Sequence, residues 1–426
     1  MSKQSTNFWG VYYGWIIVAV ALISMAFWFG IRTSFSVFYV ALLEAFPWGR
    51  GEAAGVQSMA LITYTVLAPL VGGLIDRFGP RRIIGTGIIL LALGLILCAS
   101  LRSLARFYFF YGVIVAAGIT CISIVPYSAI LAHWFEKRRG MASGIAVSGM
   151  GLGTFLLVPL SQHFIDLWGW RLAFVGFGVL VLAILFPLNI IFLRHKPQEL
   201  GLVPDGLQEL VNPGGREVKE VESSRVAIDW TLKKALRTGN FWALVAFASL
   251  GGMGVYIVLV HHVRFLVDLG IDKMTAAFIF ALAGVISSFF RIFWGWLSDR
   301  IGREKTYTMG MICICIGVGS LLLIDTLGAN VLIYLFFICF GMGWGVTAPM
   351  YMSVGADLFK GRVFGLIYGI VEGGIGIGGA FGAWVAGYIF DATGSYQGAF
   401  ALTIIVFLLS CLFIWLAAPR KVVRSH

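Results

Sequence analysis

Twelve runs of predominantly apolar residues, each long enough to cross a bilayer as a helix, alternate along the chain with short polar segments. They fall near 13–42, 54–75, 81–101, 106–133, 140–166, 171–193, 240–266, 274–298, 304–325, 328–356, 361–390 and 396–418. A stretch of about 20 apolar residues is what a transmembrane helix needs. One polar stretch breaks the rhythm. Arg194 to Arg237, after the sixth run, mixes charges with Pro197, Pro204, Pro213, Gly214 and Gly215, which reads as a linker. The expected organisation is an N-terminal six-helix half over 1–193, a cytoplasmic linker over 194–238 and a C-terminal six-helix half over 239–426. A short surface helix is expected around Trp230–Leu236. The first run starts near Val11 and is far longer than the core of a signal peptide, so it is expected to remain as the first span.

Composition removes the soluble alternatives. Of 426 residues, 59% are hydrophobic and only 12% charged, against about 25% charged in an ordinary globular domain. The class is therefore an all-α membrane protein. Cys98, Cys121, Cys313, Cys315, Cys339 and Cys411 all lie inside apolar runs without zinc or redox spacing, and read as small core residues. Twenty-three of the 31 Lys and Arg fall on the side that holds the termini, the linker and the 2–3, 4–5, 8–9 and 10–11 loops; six fall on the other, and Arg32 and Arg291 lie within spans. The excess of positive charge marks the cytoplasmic side, so both termini are expected there, in a multi-pass protein of the cell (inner) membrane. The same bias accounts for the net charge of +11, and no polar segment is large enough for a nucleic-acid module.

The two halves repeat one another. Gly72-x-x-x-Asp76-Arg77-x-Gly79 returns as Gly295-x-x-x-Asp299-Arg300-x-Gly302, an offset of 223 that also relates Gly118 and Pro126 to Gly341 and Pro349. Gly140, Gly144, Gly149, Gly151, Gly153 and Asp166 return as Gly365, Gly369, Gly374, Gly376, Gly378 and Asp391, an offset of 225. Two parallel copies of a six-helix unit are expected to be related by an axis along the membrane normal, with a cavity between them. At the paired loops, Asp76 and Asp299 can dock on a helix N-terminus across the half-interface, with Arg77 and Arg300 adding charge-assisted bonds, as a conformational latch. Soluble turn residues obeying the charge bias are the plainer alternative.

These paired loops, Gly-Gly-Leu-Ile-Asp76-Arg-Phe-Gly-Pro-Arg-Arg82 and Gly-Trp-Leu-Ser-Asp299-Arg-Ile-Gly-Arg-Glu-Lys305, resemble the signature of the major facilitator superfamily. The repeat extends the resemblance over nearly the whole chain. A narrower resemblance, to the monocarboxylate-transporter and oxalate/formate-antiporter branch, rests on Trp134-Phe135-Glu-Lys-Arg-Arg139-Gly-Met-Ala-Ser-Gly144, on Gly169-Trp170-Arg171 and on Arg291-x-Phe-Trp-Gly295-x-x-x-Asp299. It implies transport of small organic anions, often with protons.

Ionisable groups inside spans are the informative residues, because each central arginine costs about 2.5–3.5 kcal/mol to insert. Arg291 lies eight residues before Asp299, about 12 Å into span eight, and its planar fork matches a carboxylate. The resemblance implies that an arginine here binds the substrate carboxylate; a structural ion pair between helices is the alternative. Where some relatives carry an aspartate one turn earlier, this chain has Ser287. Glu372, about 16 Å into span eleven, lies at a similar depth and is expected to meet Arg291. Burial disfavours its charge and the arginine favours it, a balance suited to proton coupling; a packing pair is the alternative. Val371 stands where oxalate/formate relatives carry a lysine. Arg32, with Thr33 and Ser34 beside it, either clamps or attracts the anion or snorkels to the outer interface. Of His261 and His262, at most one lines the path and titrates; a capped interfacial histidine is the plainer reading. Tyr127 follows Pro126 and Tyr351 follows Pro349, where proline loosens a helix; either hydroxyl can orient a substrate, or the rings simply pack.

No Walker loop, His-Glu-x-x-His pair or nucleophile dyad is present, so neither ATP, a metal nor an enzyme reaction is expected. The run Gly373-Gly374-Ile-Gly376-Ile-Gly378-Gly379 follows no strand and suits close helix packing. No cofactor is expected, and a monomer suffices. The reading is a twelve-helix secondary transporter carrying a lactate- or pyruvate-like monocarboxylate with a proton by alternating access. Arg291, Arg32, Tyr127, Thr33 and Tyr351 would handle substrate, and Glu372 and His261 the proton. An oxalate–formate-type antiporter or, less well, an exporter of larger amphiphiles are the alternatives. A membrane receptor would need an output domain that the linker is too short to supply.

Overall fold

The computed structural model describes residues 12–135, 139–204, 231–327, 330–359 and 364–417. Among these, twelve long helices are arranged in two sets of six. They are α1 (Gly14–Ala45), α2 (Arg50–Phe78), α3 (Pro80–Cys98), α4 (104–134), α5 (139–168), α6 (170–192), α7 (Gly239–Asp268), α8 (Lys273–Ile301), α9 (Arg303–Leu327), α10 (Asn330–Phe359), α11 (Phe364–Thr393) and α12 (Gln397–Ala417). The turns fall where the repeat places its glycines. Gly79 and Gly302, at φ 80° and 95°, separate α2 from α3 and α8 from α9; Gly169 and Gly394, at 75° and 70°, separate α5 from α6 and α11 from α12. A left-handed φ is open to glycine without steric penalty, so the periodic glycines set the ends of the spans. The expected surface helix is seen as Leu232–Leu236; Trp230 lies outside the described residues.

Glycines also set which helices touch. Gly153 of α5 sits against the Ala26 carbonyl of α1 with no room for a Cβ, and Gly378 of α11 sits in the same way against the Ser249 carbonyl of α7. Ala26 and Ser249 are 223 residues apart, so the two halves bury the same contact twice. Between them, Gly151 and Gly376 point across the halves, to Ser288 of α8 and Thr65 of α2, again residues 223 apart. The i, i+2, i+4 spacing thus gives α5 and α11 one face for their own half and one for the other.

Among the described residues, the polar contacts between the halves gather toward one end. Call the end where α1 begins and α12 ends the terminal side, and the other the far side. Toward the far side, Ser58 of α2 donates to the Ala380 carbonyl of α11 at 2.6 Å, and Gly387 of α11 packs on the Arg50–Gly51 backbone. Toward the terminal side, Gly72, Gly144, Gly295 and Gly369 face open space. The bundle is therefore shut on the far side and open on the terminal side.

The two prolines of the repeat behave differently. Helix α4 is interrupted at Ile122–Ser123, ahead of Pro126, and carries a wide-turned π-helical stretch over Tyr108–Val115. Helix α10 runs unbroken through Pro349. Irregular helix is tolerated at membrane depth where it lines a cavity or is buried in protein.

Candidate functional site

Two arginines mark two parts of the region between the halves. Arg32, halfway along α1, is enclosed by aromatic faces: its Cζ lies 5.1 Å from the ring of Tyr64, 5.5 Å from Tyr256 and 5.7 Å from Trp28. Cation–π attraction strengthens as water is excluded, so three rings stabilise a guanidinium that apolar surroundings would otherwise reject. Two small adjoining cavities share Arg32 and Gln57 as walls. Thr33 lines the first, but its hydroxyl donates to the Phe29 and Gly30 carbonyls at 3.0 and 3.1 Å.

Arg291 of α8 is placed otherwise. One Nη approaches the Met150 sulfur of α5 at 3.3 Å, the Cζ lies 5.8 Å from the Trp344 ring of α10, and Nε is buried without a partner. No carboxylate among the described residues pairs with it. Trp344 in turn stacks on Phe29 of α1, centroids 5.9 Å apart, so an aromatic pair partitions the two arginines.

Glu372 departs from expectation. Its carboxylate accepts from the Tyr368 hydroxyl at 2.8 Å, one turn away, and the cation acting on it is Arg32, not Arg291. The helical depths were similar, but depth says nothing of direction: α11 turns Glu372 toward α1 and α2, where Tyr64 and Tyr256 also feel its charge. The side chain is exposed to the open terminal side.

Three expected site residues lie elsewhere. The Tyr127 hydroxyl is buried inside the first half, bonded to Ser24 of α1 and Asn189 of α6 at 2.7 and 2.6 Å. Tyr351 packs on Phe247 and Tyr307 with its hydroxyl against Gly251, inside the second half. His261 is fully buried at the far side, with Nε2 2.8 Å from the Ala383 carbonyl and Nδ1 3.2 Å from the Tyr396 hydroxyl and 3.5 Å from that of Tyr39. The Tyr127 and His261 groups are hydrogen-bonded within the helix packing, whereas the buried Tyr351 hydroxyl has no hydrogen-bond partner among the described residues. At the expected terminal-side latch, Arg77 stacks on Phe78 and Arg300 on Trp296 of its own helix. The side chains of Asp76 and Asp299 lie outside what is described.

A closure of that kind exists on the far side, and sequence reasoning missed it. Asp391, at the end of α11, accepts from the backbone N–H groups of Arg50 and Gly51 at 2.8 and 2.7 Å. Its carboxylate thereby caps the N-terminus of α2 in the other half, where unsatisfied donors and the helix dipole favour an anion. Arg50 pairs with Asp268 of α7 and donates to the Tyr396 hydroxyl at 3.1 Å. Lys273 pairs with Glu44 at 2.5 Å, and Arg264 reaches Glu44 at 3.5 Å and Asp268 at 2.9 Å. Arg50 and Lys273 are 223 residues apart and Glu44 and Asp268 are 224 apart, so the ion pairs are copies related by the repeat. The caps are not. Position 49 is glycine and α2 borrows Asp391, whereas position 272 is aspartate and caps its own helix through Thr275 at 3.0 Å. Asp166, the counterpart of Asp391, accepts from Gln162 at 2.7 Å.

Two six-helix repeats around a central cavity with in-span charges define a polytopic transporter scaffold. The chain belongs to the Major Facilitator Superfamily, whose sequence model matches residues 15–368. It is similar to monocarboxylate transporter 13 of Rattus norvegicus, with 28% identity over 92% of this chain and 85% of that protein. It is also similar to monocarboxylate transporter 4 of the same organism, with 25% identity over 92% and 80%. Among solved structures it resembles a bacterial homologue of the human lysosomal transporter Spinster in an inward-facing, unoccupied conformation, with a TM-score of 0.74 and 15% identity over 100% of this chain and 99% of that one. That likeness establishes the fold.

Proposed function

We propose that the chain carries a small monocarboxylate, lactate- or pyruvate-like, together with a proton, by alternating access. It would sit in the cell membrane with both termini cytoplasmic, so that the open terminal side faces the cytoplasm. The observation that carries this reading is Arg291, a guanidinium inside a span with no carboxylate among the described residues to neutralise it. A buried unpaired cation is costly, and an arriving carboxylate removes that penalty while matching the planar fork. The names of the relatives support the same anion class, and the excess of Lys and Arg on the terminal side supports the orientation.

Glu372 supplies the proton site. It faces the open side with a single hydrogen-bond donor, and Arg32 is its nearby cation. With Glu372 charged, the three groups sum to one positive charge, located at Arg291, which suits one carboxylate. Protonating Glu372 frees Arg32. No observation favours the oxalate–formate exchange. The test is uptake into proteoliposomes of labelled lactate and pyruvate, with and without a pH gradient. Uptake should be driven by the gradient and fall at least tenfold in Arg291→Lys, which keeps the charge but not the fork. Normal transport by that variant overturns the assignment.

A further inference from the structure

The contact between Arg291 and Met150 crosses the halves, and the repeat does not share it. Met150 stands one residue before Gly151 on α5, and Arg291 three after Ser288 on α8. From the related contact of Gly376 with Thr65, the same steps lead to Ile375 and Ala68. Where the repeat lacks the cation it also lacks the sulfur. An isoleucine fills the related place, so packing alone does not call for a methionine.

Met150 is fixed at its backbone and adaptable at its tip. Gly149 packs on the Leu22 carbonyl of α1 and Gly151 on Ser288 of α8, each with no room for a Cβ. The side chain is only 9% exposed, but its unbranched stem lets the thioether swing aside. Among the described residues its sulfur, 3.3 Å from one Nη, is the one acceptor that Arg291 has. A thioether is a weak acceptor. Bonds from a guanidinium to a carboxylate are charge-assisted and far stronger.

We infer that Met150 is a positioning residue that stands in for the substrate: its sulfur occupies the Arg291 fork until a carboxylate arrives, and then yields. An amide or carboxylate side chain at this place would hold the fork against the substrate. An alkyl side chain would leave the buried cation with no acceptor. The thioether lies between the two, and its strength sets the affinity for the acid. Because Met150 belongs to the first half and Arg291 to the second, the exchange also removes a bond between the halves as substrate is taken up.

This inference rests on the carboxylate-transport reading, and the test separates the two. Proteoliposomes containing the full chain are assayed for exchange of labelled lactate at equal pH on both sides, in the parent, Met150→Leu and Met150→Gln. Leucine is close to methionine in volume, so that variant should fold. Removing the acceptor should lower KM about twofold, and the amide oxygen should raise it about fivefold or more. In both variants kcat should change less than KM, which a merely structural role would not produce. A KM that rises in Met150→Leu overturns the inference, since the sulfur then holds the fork ready for the substrate instead of in its place. Any other departure from the order leucine, methionine, glutamine in rising KM overturns it as well, while lactate exchange by the parent leaves the reading standing. If Met150→Gln does not fold, the direction in Met150→Leu decides. A parent that exchanges neither lactate nor pyruvate overturns both.

Discussion

Replacing Asp391 by Asn should open the far side. The carboxylate makes two charge-assisted bonds to the first backbone N–H groups of α2, at 2.8 and 2.7 Å. Asp391 is partly exposed, so the lower end of the usual range applies, about 1.5 kcal/mol each. Asparagine keeps one neutral bond, about 1 kcal/mol, and loses the favourable charge at the helix N-terminus. The net loss is about 2 kcal/mol, or about 30-fold in the ratio of far-closed to far-open molecules. Spin labels at Arg102→Cys and Gln397→Cys, exposed on opposite halves at the far side, read that ratio in a background with the native cysteines replaced. Pulsed dipolar distances should show a longer population that grows in Asp391→Asn. The reasoning is wrong if a folded variant keeps the parent distance distribution.

The remaining predictions concern the charges and the glycines. Glu372→Gln should abolish pH-driven accumulation while sparing substrate counterflow; equal loss of both, measured in the same vesicles, would assign Glu372 a structural role. Because Arg32 and not Arg291 neighbours Glu372, Arg32→Gln should alter the pH dependence of uptake more than Arg291→Gln does; matching pH profiles would contradict this. Gly153→Ala and Gly378→Ala both place a Cβ on a backbone carbonyl, so each should destabilise by about 1–3 kcal/mol through overpacking. The decrease in Tm of the purified protein should be similar for the two, and a variant that melts with the parent would show that the helices do not touch there.

Much of the fold was legible because bilayer length, glycine spacing and charge bias are one-dimensional signals. The offsets of 223 and 225 reappear as physical contacts: Gly151 to Ser288 repeats as Gly376 to Thr65. The two in-span arginines were legible for the same reason, since lipid makes charge conspicuous. Azimuth was not legible. Glu372 and Arg291 sit at similar depths, yet Glu372 is turned toward Arg32, and only packing sets that rotation. The partners of Tyr127 and His261 were not legible either, because a polar atom in a span marks either a path or a satisfied helix contact, and the sequence does not reveal which. The far-side closure was missed because Asp391, Arg50, Asp268, Glu44 and Lys273 stand at helix ends, where charge is unremarkable. The signal that could have found it is the glycine at position 49 opposite the aspartate at 272.

The repeat also shows what the other conformation must look like, if the chain works by alternating access. Seven residues advance a helix by close to two full turns and return to nearly the same face. Gly144 lies seven residues before Gly151 on α5, and Gly369 seven before Gly376 on α11; Gly72 lies seven after Thr65 on α2, and Gly295 seven after Ser288 on α8. The partners Gly151–Ser288 and Gly376–Thr65 are in contact across the halves, while the four displaced glycines face open space. When the terminal side shuts, the same faces must meet two turns further along, bringing Gly144 toward Gly295 and Gly72 toward Gly369. Residues without side chains at those four places let backbones approach closely. That closure separates Arg50 from Asp268 and Lys273 from Glu44, so the ionic contacts at the far end and the glycine contacts at the terminal end oppose each other about the level of Arg32, Glu372 and Arg291.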